Sequence, residues 1–515
     1  MAIAHRPWWN GVAVGLSGSL TVLVSTPGYA MDAEVASDTA AQFYDVRSPT
    51  GEAVLARRRL TTTLAVSAYN LLDSPAGDPK AVDLSFRGRV RYDADYGATG
   101  ASTDPSQYNS FVPGFSQGYV DLMYGYIEGR RLLDGWLGFK LGRQYVTDAL
   151  GWWSFDGGEV SLTMPYFVKA EAYGGLEQRG GQLASTSRFE RDGVWRGSRS
   201  SVGPSLYTAF QPATVAPAFG VALESAGITW IHGRLTYRRV YNTGASNVTE
   251  YPNALYAPAR YDGSRISSER LGYAVDANWP DVGGAKAGVV YDLYRADVTQ
   301  LYASIDGYLG KRLTVSADYD YYVPSFDADS IFNFFAAEPM SDLGLRANVD
   351  VSDRLSIAGG AHVRVFTVQT GPFNPGVGSS YSPSPNYSAA SEYFPTNGHP
   401  FDEGGNLFAR WRTGLTTWAL RGSGNAGDEG NRVGADVSAE HVFETRYVLS
   451  GRAGGWHWND KIRPDHNPTS FNYVAGVGYR FAPLSQAKIE WEHDINKLVG
   501  QRFRVMMWLT WAVAK

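Results

Sequence analysis

Residues able to do chemistry fall into two groups in this chain: a few clusters of histidine and carboxylate, and several columns of arginine. In the first group, His457, Asp460, Asp465 and His466 lie close together, and these are the residue types that acid–base or hydrolytic chemistry uses. They meet no spacing rule for a triad or a metal, and a polar loop accounts for them. Asp327 with Asp329, and Asp428 with Glu429, offer carboxylates to calcium, but neither pair has EF-hand or nonapeptide spacing. Solvated turns account for these. The chain has no Gly-x-Ser-x-Gly elbow, no His-Glu-x-x-His and no phosphate loop, and it contains no cysteine. The last absence removes disulfides, thiolate metal sites and thiol nucleophiles. No catalytic, metal or cofactor-binding set is expected, and no enzymatic role.

The second group is larger. Arg87, Arg89 and Arg91 alternate with other residues, as do Arg410 with Arg412 and Arg502 with Arg504. On strands each set forms a column on one face. Arg234, Arg238, Arg346, Arg364 and Arg421 also fall on polar parities, and Arg143 is counted with them as a candidate pore-lining residue. Cations gathered inside a low-dielectric tube attract anions and order them along it. The competing reading is equally open: the arginines pair across the wall with Asp93, Asp318, Asp320, Glu490, Glu492 and Asp494 and only keep the interior hydrated.

Strands must position these residues, and the pattern is plain in Arg502 to Val513. Phe503, Val505, Met507, Leu509, Trp511 and Val513 are all apolar, while the other parity opens with Arg502 and Arg504. Two faces, two solvents. The same division recurs in 82–96, 313–321, 342–351, 355–365, 471–481 and 488–495. These runs are about 10 to 15 residues long, the span a tilted strand needs to cross a bilayer, and longer than sandwich strands.

Composition agrees. The 515 residues include 32 Tyr, 15 Trp and 58 Gly, with only 19% charged and a negative mean hydropathy, as expected of a sheet that is apolar on one face. The net charge of −5 gives no support to a nucleic-acid partner. Residues 1–30 read as a secretory signal: His5 and Arg6, an uncharged stretch from Gly11 to Ser25, then small residues at Gly28 and Ala30. No later window is apolar enough for a membrane helix. The expected organisation is a signal over 1–30, a periplasmic segment over 31–58, and a transmembrane antiparallel up-and-down β-barrel over 59–515.

Connections alternate in length. Tight joins are expected near 129–130, 310–311, 352–353, 444–445 and 483–484, with long polar segments at 98–116, 147–157, 177–202, 242–264, 324–340, 370–403 and 458–468. Short turns at one rim and long loops at the other are the asymmetry of an outer-membrane barrel. The strand count is about 18, within 16 to 22. Barrel closure should bring Arg502 and Arg504 near Arg87 to Arg91, one strand removed. The longest loop, 370–403, is rich in Pro, Ser, Tyr and Gly. It is read either as a surface loop or as one that folds in to constrict the barrel or hold carbohydrate.

Lys140-Leu141-Gly142-Arg143-Gln144, followed by Phe155-Asp156-Gly157-Gly158, resembles a pattern in Gram-negative porins of the alginate-export and specific-channel type. There a strand ending in Gly-Arg-Gln rises into an external loop, and the next begins near Phe-Asp-Gly. The chain departs from the wider porin class at its end, Ala512-Val513-Ala514-Lys515, where such barrels carry a terminal aromatic read by the insertion machinery. The resemblance and the patterning imply an outer-membrane channel for passive diffusion of small polar or anionic solutes. Two further readings stand beside it: an export barrel for an anionic polysaccharide, and a structural barrel that anchors an envelope complex. Expected partners are outer-membrane lipid, the insertion machinery and the solute, with a homo-oligomer or envelope complex also open.

Overall fold

The computed structural model describes residues 32–72, 74, 78, 81–98, 119–165, 167–178, 216–242, 265–294, 296–324, 339–366, 401–428, 430–460 and 467–514. Among these residues twenty-two antiparallel strands form one sheet. The first eight are β1 (Asp32–Arg47), β2 (Ala53–Tyr69), β3 (Asp83–Ala98), β4 (Tyr119–Arg131), β5 (Leu137–Asp148), β6 (Gly151–Met164), β7 (Val168–Glu177) and β8 (Pro217–Ser225). Next come β9 (Ile231–Asn242), β10 (Arg265–Trp279), β11 (Gly283–Asp292), β12 (Asp297–Leu309), β13 (Leu313–Tyr322), β14 (Met340–Ser352) and β15 (Leu355–Phe366). The last seven are β16 (Phe401–Thr413), β17 (Thr416–Gly427), β18 (Gly430–Phe443), β19 (Tyr447–Asp460), β20 (Thr469–Ala482), β21 (Ser485–Asn496) and β22 (Gly500–Ala514).

Each strand pairs with its sequence neighbours, and β22 returns to pair with β1 from Glu34↔Ala514 to Arg47↔Gln501. The sheet therefore closes on itself, its first strand hydrogen-bonded to its last. Register fixes the faces. Leu343 and Leu345 on β14 stand beside Tyr319 and Ala317 of β13 and Val363 and Ala361 of β15, and both leucines are more than half exposed. The apolar parity is the outer surface. Phe503, Val505, Leu509 and Trp511 lie on it, as the pattern predicts.

The strand ends sort the connections. Spans 99–118, 243–264, 323–339 and 367–400 fall at one rim; 165–167, 280–282, 353–354, 414–415 and 483–484 fall at the other, with the start of β1 and the end of β22. Long connections mark the extracellular rim.

Four expectations change. The barrel has four more strands than the 18 preferred. Residues 32–47, assigned to a periplasmic lead-in, form β1, and 53–58 begin β2. The outward parity of β1 carries Ser37, Thr39 and Ala41, too weakly apolar to announce a membrane strand, and Thr39 and Thr62 bond to each other across that face (2.7 Å). Segment 147–157 is not a long loop: β5 and β6 join through Ala149 and Leu150 alone. With two strands between β22 and β3, Arg502 and Arg504 also stand further from Arg87 to Arg91 than supposed. Residues 1–31, and most of the long loops, including 370–400, Asp327, Asp329, Glu429, Asp465 and His466, lie outside the described residues.

Candidate functional site

The interior is asymmetric, and the β5–β6 hairpin makes it so. Pairing between β4 and β5 stops at Gly125↔Arg143, although β4 continues to Tyr119. Beyond that point the hairpin leaves the wall. The bend runs through Gly142, Gly157 and Gly175, where a Cβ on Gly142 would strike the Gly125 carbonyl and one on Gly157 the Gly174 carbonyl. Only glycine admits strands this close. Arg143 closes the bend: it is 5% exposed, its Nε and Nη2 donate to the two oxygens of Asp156 (2.6 and 2.8 Å), and its Nη1 donates to the Leu122 carbonyl (2.9 Å). It shares the parity of Leu141 and Tyr145, not of Lys140 and Gln144. It is a structural clamp and not a pore-lining residue, and so the Gly-Arg-Gln and Phe-Asp-Gly segments are two halves of one bend.

Past the bend, the hairpin end lies on the inner face of β7 to β10. Leu150 reaches Gly272 on β10, and Arg238 on β9 donates to the Leu150 carbonyl (3.1 Å). Underneath sits an apolar cluster of Val146, Trp153, Phe155, Tyr173, Ala216, Ala218 and Val240. Trp153 is 1% exposed. It stacks on Phe155 (4.4 Å between centroids), lies under the Arg238 guanidinium (5.2 Å) and donates its indole N–H to Glu177 (2.9 Å). A barrel seldom has a core, because its two faces have different solvents; here the hairpin supplies a third layer. Its free face carries Tyr145 and Trp152, 42% and 56% exposed, with Tyr145 edge-on to lumenal Tyr124 (5.8 Å).

Most predicted arginines are paired. Arg89 reaches Asp38 (2.9 Å), and Arg91 lies between Asp93 (3.1 Å) and Asp121 (2.7 Å). Arg234 bridges Glu171 and Glu224 (2.5 and 2.6 Å). Asp318 takes Arg346 (3.2 Å), and Arg364 takes Asp342 (2.7 Å). At closure Arg502 holds Asp494 (2.5 Å) and Glu492 (3.1 Å), Arg504 also binds Glu492, and Glu490 pairs with Lys488 (2.6 Å). Arg87 packs over the Tyr69 ring (5.3 Å). Asp320 is lumenal, opposite Asp342. On these strands the hydrated-wall reading holds.

It fails on β16 to β20. Arg410, Arg412, Arg421, Arg432, Arg452 and Arg480 face the interior there, all exposed, and none has an ion-pair partner among the described residues. Arg421 and Arg432 lie over the rings of Phe408 (5.7 Å) and Trp456 (4.6 Å). Their heights differ: Arg432 lies near the extracellular end, Arg421 and Arg452 at mid-strand, and Arg410, Arg412 and Arg480 near the periplasmic end. Asp402, Asp436, Glu440 and Asp460 are the carboxylates on the lumenal parity of these strands, four against six. Sequence reading found Arg410, Arg412 and Arg421 but missed Arg432 and Arg452 as site residues, because each stands alone among Gly, Ala and Ser. In a closed sheet of 22 strands β18 lies eleven strands from β7, half the circumference. The arginine ladder thus faces the infolded hairpin.

His457 lies on β19 and bonds Thr469 (3.0 Å), Asp460 ends the same strand, and no group of three metal-ligating side chains occurs among the described residues. Among the described residues no helix is long and apolar enough to cross a membrane.

A closed antiparallel sheet with an apolar outside, a charged inside and unequal rims is the architecture of an outer-membrane β-barrel. Known structures of similar architecture include Acinetobacter baumannii OccAB4 (6% identity, 94% of this chain and 98% of that chain, TM-score 0.41) and a BenF-like porin from Pseudomonas fluorescens Pf-5 (9%, 94% and 99%, 0.44). Pseudomonas aeruginosa OpdK, solved with vanillate, is a third (9%, 95% and 100%, 0.41). No protein-family model and no curated protein matches the chain.

Proposed function

We propose that this barrel is an outer-membrane channel through which small polar or anionic solutes diffuse passively, led past the arginine ladder of β16 to β20, with residues 1–30 serving as its export signal. The observation that carries the reading is the ladder itself. Six exposed guanidinium groups without carboxylate partners among the described residues, staggered from rim to rim, hold an anion at successive points without trapping it at one. The hairpin opposite them narrows the passage, so a solute cannot avoid their field. An infolded wall also explains why a barrel this wide need not leak large molecules.

The test is conductance in planar bilayers. Ohmic single-channel steps with chloride favoured over potassium are expected. Arg421→Ser with Arg452→Ser should move the reversal potential towards the cation side without abolishing conductance. Absence of any conductance from the folded barrel refutes the channel reading in favour of a scaffold.

A further inference from the structure

Because β1 and β22 are neighbours, the β1–β2 turn (48–52) and the β21–β22 turn (497–499) stand side by side at the extracellular rim. Between them lies a cleft of about 560 Å³, lined among others by Arg47, Lys497, Ile495, Gln501 and Phe503. It opens outward, not into the lumen: Arg47 is the register partner of Gln501, and Gln501 and Phe503 share the parity of lipid-facing Val505 and Leu509.

Both walls are built before any ligand arrives. Ser48 N–H bonds the Glu52 carbonyl and Gly51 N–H the Ser48 carbonyl (both 2.9 Å), and the Ser48 and Thr50 hydroxyls bond each other (2.7 Å). Across the cleft, Asn496 Oδ1 accepts from the N–H groups of Leu498 (2.8 Å) and Val499 (3.0 Å). Gly500, at φ +94°, lets the turns approach; a Cβ there would strike the Arg47 carbonyl and Ser48. Fixed walls leave side-chain ends as the only adjustable part.

Just below lies an outward aromatic group. His493 stacks on Phe503 (4.2 Å, 14°), and Tyr473 meets both Trp491 (5.1 Å, edge-on) and His493 (5.0 Å). Aromatic girdles mark the boundary between acyl chains and headgroups, so the cleft stands at headgroup level in the outer leaflet. Two cations reach it: Arg47, shared with Asp45 (3.0 Å), and Lys497, exposed and without an ion pair among the described residues. Leu498 and Val499 are exposed beside them, at 38% and 62%.

We propose that this cleft is a binding site for the phosphorylated sugar headgroup of an outer-leaflet glycolipid. Lys497 and Arg47 take the phosphate, and Ile495 and Phe503 receive the first segment of an acyl chain. Charge, apolar floor and height in the membrane all point to an amphiphile with an anionic head, whereas a free anion would leave the floor unused. The proposal rests on the outer-membrane placement and is independent of the channel reading.

The test uses the full barrel in detergent, with occupancy read by native mass spectrometry. Probes are bisphosphorylated lipid A, lipid A lacking phosphate, phosphatidylglycerol and inorganic phosphate. One bisphosphorylated lipid A should be retained by the parent and by Lys497→Arg. Arg47→Ser with Lys497→Ser should lower retention about tenfold or more, as expected for losing two charge-assisted contacts, with single-channel conductance unchanged. Equal retention by the parent and the double variant overturns the proposal. So does equal retention of the dephosphorylated lipid or of phosphatidylglycerol, and so does displacement of the glycolipid by inorganic phosphate, which would mark a simple anion site.

Discussion

Trp153→Ala tests whether the β5–β6 hairpin is held against the inner wall by the packing beneath it. Trp153 is almost wholly buried, stacked on Phe155, capped by Arg238 and bonded to Glu177. Truncating a buried aromatic to alanine costs about 3–5 kcal/mol. The wall strands keep their ladders without it, so the loss falls on docking of the hairpin end. At about 1.4 kcal/mol per tenfold, even 3 kcal/mol raises the lifted population about 100-fold. The chain has no cysteine, so Leu150→Cys introduces a unique thiol at a position 9% exposed against the wall. In membranes or detergent, its reaction with a small maleimide reads the lifted fraction when lifting is fast relative to labelling. The expected outcome is labelling faster by about two orders of magnitude in the Trp153→Ala background, accompanied by larger, noisier conductance steps. Labelling at the parent rate, with unaltered conductance, refutes the idea that this cluster fixes the constriction.

The Arg143–Asp156 clamp should be asymmetric. Asp156→Ala takes both carboxylate contacts from a guanidinium whose side chain is 4% exposed, whereas Arg143→Met leaves an acid that is 35% exposed and still wetted. The first variant should lose the compact, heat-modifiable form at a lower temperature on gel electrophoresis than the second; equal temperatures would contradict the burial argument. Gly157→Ala should fail to give that compact form, since its Cβ would meet the Gly174 carbonyl. Gly158→Ala, whose Cβ meets nothing nearer than 3.7 Å, should give it normally.

The barrel was legible because its signal is repeated: each long strand divides its residues between lipid and water, so one ambiguous strand matters little. β1 was missed because Ser37, Thr39 and Ala41 face outward, and a wall of many strands tolerates one with little apolar contrast. The hairpin was missed for a different reason. Tyr145 to Phe155 mixes aromatic, polar and glycine residues without a clear parity, because past the bend one face meets a protein core and the other the lumen, and neither is lipid. Periodicity reports the solvent on each face, and it loses meaning where both faces are inside. Arg143 misled by the same logic: a charged residue in a strand is assigned to the lumen, yet this one is neutralised within the bend. The unpaired ladder could not be separated from the paired columns by sequence, since pairing depends on which strands become neighbours. Arg502 and Arg504 have acids on the adjoining β21; Arg410 and Arg412 adjoin Ala419 and Thr417.

The β1–β22 seam has a consequence for assembly. Glu34 and Ala514 are partners although nearly the whole chain separates them, so this junction forms by the largest ring closure available to the molecule. Its entropic cost grows only logarithmically with the intervening length, but its rate suffers, since contacts distant in sequence form late. Until then the growing sheet carries two bare edges, β1 and whichever strand was added last. Those edges are where an incompletely assembled chain would pair with another. The seam makes completion all-or-none: twenty-one strands inserted correctly still present an open sheet, and only the last converts it to a pore wall.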